Sequence, residues 1–411
     1  MAVCRDEAGR HQRLRRHQPL GHDWATVSNS LRSGRNAVRT MPEWSRYEGL
    51  AVRVAAPAAP FELDPQRYHR KSLRSMGRVA IMATRASELA LADAGLLGHP
   101  LLQSGQLGIA YGSSSGTPQS AGDFGRMVLE NNTDGINATT YIKMMSHTAA
   151  VNIGVFFGIT GRIVGTSSAC TSGSQGIGYA YEMIQSGKQI AMLAGGAEEL
   201  DATQAAVFDT LFAASTRQEP DLTPRPFDRD RDGLVLGEGA CTLILEEREH
   251  ALARGATIHA EVCGFGTNSD GRHVTQPHAD TMALAMRLAL ADAALPPTAI
   301  GYVNAHGTAT DHGDTAESHA TRLVFGEAIA IASLKSQMGH TLGACGALEA
   351  WISIMMMHDG WFAPTLNLLA PDPACASLDY LTGGGRHIDT EYVMSNNFAF
   401  GGINTSLIFS R

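Results

Sequence analysis

Apolar positions along the chain switch repeatedly between a strand-like run and a helix-like spacing, and that alternation predicts a layered α/β protein. Gln106 to Tyr111, QLGIAY, is a short apolar run closed by the turn GSSSG, and it predicts a buried strand. Gly187 to Gly196, GKQIAMLAGG, predicts a second strand ended by glycines. Between them, residues 173–187 carry Ile177, Tyr181 and Ile184 on one stripe, the spacing of a helix. Ala240 to Glu246, Ile258 to Phe265 and Ala299 to Asn304 predict further strands, and Asp280 to Ala293 a helix. Each half of the chain thus repeats a strand, a Gly-rich loop with a reactive residue, and a helix, a weak sign of duplication. Met1 to Arg16, MAVCRDEAGRHQRLRR, breaks the pattern: it is heavily charged, holds no strand-length apolar run, and predicts a solvated tail.

At 411 residues the chain exceeds one ordinary compact domain, so two fused or interleaved domains are expected. An apolar fraction of 44% beside 18% charged residues is that of a globular protein. The net charge of −8 argues against a general nucleic-acid binder and leaves any basic recognition surface as a local patch. The chain holds no apolar stretch of about 18 residues for a membrane span, and its basic start lacks the apolar core of a secretory signal. Six scattered cysteines without a CxxC pair fit reduced thiols better than disulfides or a zinc site, so the cytoplasm is the expected location.

Four segments carry candidate chemistry. In Gly165 to Gly173, GTSSACTSG, Cys170 sits among small residues directly before a helical run. Small neighbours permit a sharp turn and close substrate approach, and a helix N-terminus favours the thiolate. The bland alternative is a buried structural cysteine. In NAHGTAT, His306 ends a predicted strand in a loop with two threonines, although a lone histidine is more often an ordinary packed residue. SLKSQMGHTLGACG embeds Lys335 and His340 in small and apolar residues, where a lysine is seldom found without purpose. SNNFAFGGIN, residues 395–404, reads as a polar loop holding two phenylalanines, either simple packing or a hinge over a pocket. Together these supply a thiol, two imidazoles and an ammonium, the parts for covalent acyl transfer.

In their order and spacing, SSACTSG, PFDRDRDGLVLGEGA, HGTATDHGD, KSQMGHTLGACG and SNNFAFGG resemble the β-ketoacyl-[acyl carrier protein] synthases of the type I/II, Cys-His-His group. The resemblance runs from about Pro19 to the C-terminus. It implies a thiolase fold, five layers αβαβα built from two similar halves, and a homodimer. The halves would be residues 19–255, with the nucleophile, and 256–411, with the His, Lys and His, behind an atypical segment 1–18. It further implies that Cys170 is the acylated nucleophile, His306 and His340 the catalytic histidines, Lys335 the catalytic lysine, and Glu317 a structural acid. Thr308, Thr310 and Thr275 match residues that hold the pantetheine arm. Phe400 matches a gating phenylalanine whose backbone N–H joins that of Cys170 in an oxyanion hole, and Ser115 and Phe398 fall at the acyl pocket. No metal or cofactor is implied. The substrates ride on the 4'-phosphopantetheine of an acyl carrier protein, docked on Arg70, Lys71 and Arg74 with Arg126 and Lys143 extending the patch. A merely solvated basic face is the alternative. Neither a nucleic acid nor a membrane is an expected partner.

Three departures stand out. The opening strand of the family is replaced by CRDEAGRHQRLRR, which cannot form the same buried strand. Either the N-terminus is rebuilt or the functional reading frame differs upstream of Pro19, and the second is the expectation. A lost central strand would cost stability through unpaired hydrogen bonds. Ala399 stands where many members have glycine, which would stiffen a gating hinge, and Ser115 replaces a larger apolar residue, which would admit longer or more polar acyl chains. A polyketide or aryl-polyene ketosynthase would share every residue named. A silent chain-length factor would have lost the nucleophile, and a thiolase would carry a second cysteine where SNNFAFGG has none.

Overall fold

The computed structural model describes residues 2–3 and 15–411. Among them, thirteen strands form one mixed sheet system. In chain order these are β1 (Ala2–Val3), β2 (Arg15–Gln18), β3 (Gly21–Asp23), β4 (Leu107–Gly112), β5 (Ile163–Thr166), β6 (Ala191–Glu198) and β7 (Gly239–Glu246). There follow β8 (Ala260–Ser269), β9 (Ile300–Asn304), β10 (Ala330–Ala332), β11 (Asp379–Tyr380), β12 (Tyr392–Ala399) and β13 (Ile403–Ser410).

The order resolves into two copies of one pattern. The first half runs β5-β4-β6-β7-β1, and the second runs β10-β9-β12-β13-β8, with β11 outside β10. In each, the strand after the edge pairs in parallel with both neighbours, and the remaining pairs are antiparallel. The weak duplication of the sequence is therefore a duplication of topology. The halves meet where β1 pairs antiparallel with β8.

Six helices complete the layers: α1 (Arg78–Asp93), α2 (Thr148–Phe157), α3 (Ser172–Gln185), α4 (Ala279–Asp292), α5 (Asp311–Phe325) and α6 (Cys345–Asp359). α1 and α2 pack on one outer face and α4 and α5 on the other. α3 and α6 lie between the halves, with Ile177, Tyr181, Leu348 and Trp351 in one core. This is the αβαβα stack. Helix α6, CGALEAWISIMMMHD, is apolar nearly all round because it is buried nearly all round. Helix α3 lies so close to β4 and β6 that a Cβ on Gly176 would sit 2.8 Å from the carbonyl oxygens of Ala110 and Gly195.

Every strand and helix expected from periodicity is present, with ends shifted by a few residues. Two expectations are corrected. The polar segment 395–399 is strand, the end of β12, because its asparagines find partners inside the sheet: Ser406 donates to Asn396 at 2.7 Å. At the N-terminus, Ala2 and Val3 pair with β8, Ala2 also pairs with β7, and Arg15–Gln18 pairs with β3 and β7. Backbone ladders ask for N–H and C=O groups, not for an apolar run, so the charged Arg15–Gln18 can pair with β7, while the two residues Ala2 and Val3 bridge β7 and β8. Residues 4–14, where the rest of the atypical segment falls, lie outside the described residues.

In an open helix Gly→Ala is stabilising by about 1 kcal/mol. At Gly176 the rigid carbonyls reverse the sign, and Gly176→Ala should lose about 1–3 kcal/mol in denaturant unfolding. A stabilised variant would show that α3 does not rest on β4 and β6 in this way.

Candidate active site

The chain leaves β5, turns sharply at Ala169 and enters α3 at Ser172. Ala169 holds φ +50°, a left-handed conformation costly for a residue with a Cβ. The small hydroxyl residues brace this turn rather than merely leaving space. Thr166 donates to the Ser172 carbonyl at 2.8 Å, Ser172 to that of Ala169 at 2.7 Å, and Thr171 to that of Ser168 at 2.7 Å. Cys170 is thereby fixed at the head of α3, only 6% exposed. Its carbonyl accepts a hydrogen bond from the thiol of Cys345 at 3.2 Å.

Burial pushes the Cys170 thiol up to about 12, against the downward pull of the Lys335 charge and of the backbone N–H groups of Cys170 and Phe400. The helix terminus favours the thiolate, as expected, but desolvation is the larger effect. The same N–H groups form a pocket for negative charge at the sulfur, the arrangement expected of an oxyanion hole.

His340 Nε2 lies 3.0 Å from Cys170 Sγ. Behind it, Nδ1 accepts from the Leu342 N–H at 3.3 Å. His306 Nδ1 accepts from Lys335 Nζ at 3.2 Å. Burial and the Lys335 charge hold both imidazoles well below their ordinary range, so both are neutral. With each Nδ1 accepting, the hydrogen of each ring is on Nε2, facing the cavity. One ring nitrogen from each histidine and the sulfur all lie within 4.8 Å of one another. A thiol and two N–H donors converge on one point.

Lys335 stands behind this point, 1% exposed, with Nζ 2.5 Å from Glu349 Oε1. Burial alone would lower its pKa, but Glu349 holds it above the ordinary value, so it remains an ammonium. Asn397 donates to the other Glu349 oxygen at 2.7 Å and reaches His306 Nδ1 at 3.4 Å. Sequence reasoning missed Glu349 and Asn397. The signal for Glu349 was a lone carboxylate inside the apolar run of α6.

Glu317 accepts the backbone N–H groups of His306 at 2.7 Å and Gly307 at 2.6 Å, while burial pushes its carboxyl up to about 8. A cavity of about 450 Å³ leads from the surface to Cys170, His306 and His340, and Thr275, Thr308, Thr310 and Phe398 line it. The hydroxyls of Thr308 and Thr310 are 2.9 Å apart. Phe398 packs edge-on against His306, and Phe400 packs on Phe208.

Ala399 is not in the hinge. It pairs with Ile403 at the ladder's end, and the turn's left-handed positions fall at Gly401 (φ +87°) and Gly402 (φ +70°). Ser115 does not line this cavity; its hydroxyl donates to buried Glu198 at 3.4 Å. Arg70, Lys71, Arg74 and Arg126 are exposed and Lys143 half-buried, but the helix of the first three is a single turn, Arg70–Leu73, with Arg74 as its cap. Arg126 is paired with Asp123.

Alkylation of Cys170 by iodoacetamide should therefore rise about tenfold per pH unit from pH 6 to 9, the behaviour of a thiol whose pKa lies above the range. A rate already at its plateau at pH 7 would show a resting thiolate instead.

Residues 15–251 match the family profile of the Beta-ketoacyl synthase, N-terminal domain, and residues 259–369 that of its C-terminal domain. The 3-oxoacyl-[acyl-carrier-protein] synthase 2 of Vibrio cholerae is 36% identical over 402 residues, 96% of each chain. A crystal structure of a beta-ketoacyl synthase from Burkholderia phymatum superposes with a TM-score of 0.95 at 59% identity, covering all of both chains. The ishigamide ketosynthase/chain length factor superposes at 0.87 with 31% identity, covering 96% of this chain and 99% of the other. On these matches, which span nearly the whole chain, the protein belongs to the β-ketoacyl synthase family, condensing acyltransferases of thiolase fold.

Proposed function

We propose that this site elongates acyl chains carried on an acyl carrier protein by decarboxylative condensation, with Cys170 as the acyl-bearing nucleophile. The observation that carries the reading is the convergence of one sulfur and two neutral, Nε2-protonated imidazoles at the foot of a single cavity.

In the first half-reaction the Cys170 sulfur attacks the acyl thioester, the oxyanion rests on the N–H groups of Cys170 and Phe400, and the carrier thiol leaves with the proton. In the second, a malonyl thioester occupies the emptied cavity, with Thr275, Thr308 and Thr310 supporting its pantetheine arm. Loss of carbon dioxide leaves an enolate oxygen between His306 and His340. Their N–H groups stabilise it, and being neutral they do not readily protonate the carbanion. The carbanion attacks the acyl carbonyl, and collapse of the adduct releases the β-ketoacyl thioester and the Cys170 thiolate. Lys335 acts through His306, fixing its tautomer and holding its pKa down. Glu317 holds the loop that presents His306.

The division into halves at residues 19–255 and 256–411 is supported by the repeated strand order. A homodimer is supported by exposed Val128, Leu129, Tyr141 and Val155, and by Ile163 on the edge strand β5. Exposed Arg70, Lys71 and Arg74 suit an acidic carrier. Phe398, edge-on to His306 in the cavity that reaches Cys170, is the residue placed to meet the acyl chain. A silent chain-length factor would have no use for a thiol braced in this way.

His306→Ala should lower carbon dioxide release from a malonyl thioester by roughly 10²–10³-fold, while acyl-Cys170 still forms and is seen by intact-protein mass spectrometry. Cys170→Ala should abolish the acyl-enzyme. Retention of full condensing activity in Cys170→Ala would defeat the assignment.

A further inference from the structure

The mouth of the cavity carries a feature that the condensation chemistry does not use. Helix Ala202–Thr210 ends at Leu211, and the next residue, Phe212, is 95% exposed. Its backbone is held at φ +52° by hydrogen bonds from the Phe212 N–H to Asp209 at 2.9 Å and from the Ala213 N–H to Phe208 at 2.9 Å. A large aromatic residue in the left-handed region, where glycine or asparagine is at ease, and pointing into solvent, is doubly unfavourable for the free protein.

Phe212 lines the cavity together with Leu211, which is 43% exposed, and Val274, which is 68% exposed. The three make an apolar rim at the opening that leads to Cys170. The lining carries carboxylates, including Asp232 and the largely exposed Asp311, and the exposed imidazoles of His273 and His312, but no lysine or arginine among the described residues. An acidic partner therefore finds no permanent cation in the lining of the mouth, and the apolar rim is the surface left to hold it there. Phe212 is too exposed to be a lid, since a ring folded over the opening would be covered by the walls it closed. It projects toward whatever stands outside.

We propose that Phe212, flanked by Leu211 and Val274, is an apolar anchor for the carrier protein that delivers the thioester. The assignment rests on the function proposed above: a thioester arm threaded through this mouth to Cys170 places the body of its carrier on the rim. The anchor acts on the carrier's surface, not on the pantetheine arm. It thereby sets which carriers are accepted, through the apolar residue they present beside the arm's attachment point.

The test compares one acyl group delivered two ways, on the carrier protein and on N-acetylcysteamine, with formation of acyl-Cys170 followed for the unaltered enzyme, Phe212→Ala and Phe212→Leu. Loss of a central apolar contact should raise KM for the carrier-borne thioester about tenfold in Phe212→Ala, with kcat retained. Phe212→Leu should recover most of the affinity. The N-acetylcysteamine thioester should acylate all three proteins equally, which also reports an intact site. Equal slowing with both donors would overturn the proposal and place Phe212 on the arm or the loop. Unchanged kinetics with both donors would overturn it as well. If neither donor acylates the unaltered enzyme, it is the condensing function that fails, and the anchor with it.

Discussion

One buried ammonium organises the site. Lys335 is held against Glu349 in the interior, and an ion there is tolerated only when its partners are complete. Glu349 is completed in turn by Asn397. With that pair in place, Lys335 can donate to His306 Nδ1, which fixes the tautomer, and its charge keeps both imidazoles neutral. The same charge acts on the Cys170 thiol, where it opposes desolvation. Removing the ammonium would thus disturb the histidines and the sulfur at once, although it touches neither the cavity nor the substrate.

The position of that ammonium follows from the duplicated topology. In each half the chain runs from an outer parallel strand, through a tight loop, into a central helix. The loop after β5 bears Cys170 and leads into α3; the loop after β10 bears Lys335 and His340 and leads into α6. Because α3 and α6 share one core, the two loops face each other. Half of the chemistry comes from each copy, and neither copy alone contains a site.

Loops that face each other at such close range are strained, and buried acidic side chains hold them. Ala169, Ala309 and Leu342 all have positive φ. Asp314 accepts the N–H groups of Thr308, Ala309 and Phe227, and Glu317 those of His306 and Gly307. Glu198 accepts those of Ser114 and Gly343. A carboxylate is costly to bury, and its cost is offset where several N–H groups of a sharp turn would otherwise go unpaired. The acids of this site are therefore scaffolding for the loops, while the reacting atoms meet only sulfur and nitrogen.

Much of this was legible in the sequence, because it is local. The period of Ile177, Tyr181 and Ile184 defines α3, the runs of β4, β6 and β7 define buried strands, and the small-residue loops mark Cys170, His306 and His340. What depends on distant partners was not. Ser395–Ala399 looks like a polar loop until Ser406 and Glu349 supply partners for its asparagines. The protonation state of Cys170 turned on burial from both halves, which no neighbouring residue reports. Ala2 and Val3 become strand only because β7 and β8 offer unpaired edges. The residue types in each loop were determined along the chain; the electrostatics that make them a site were decided by the fold, since charge and solvent exclusion act through space.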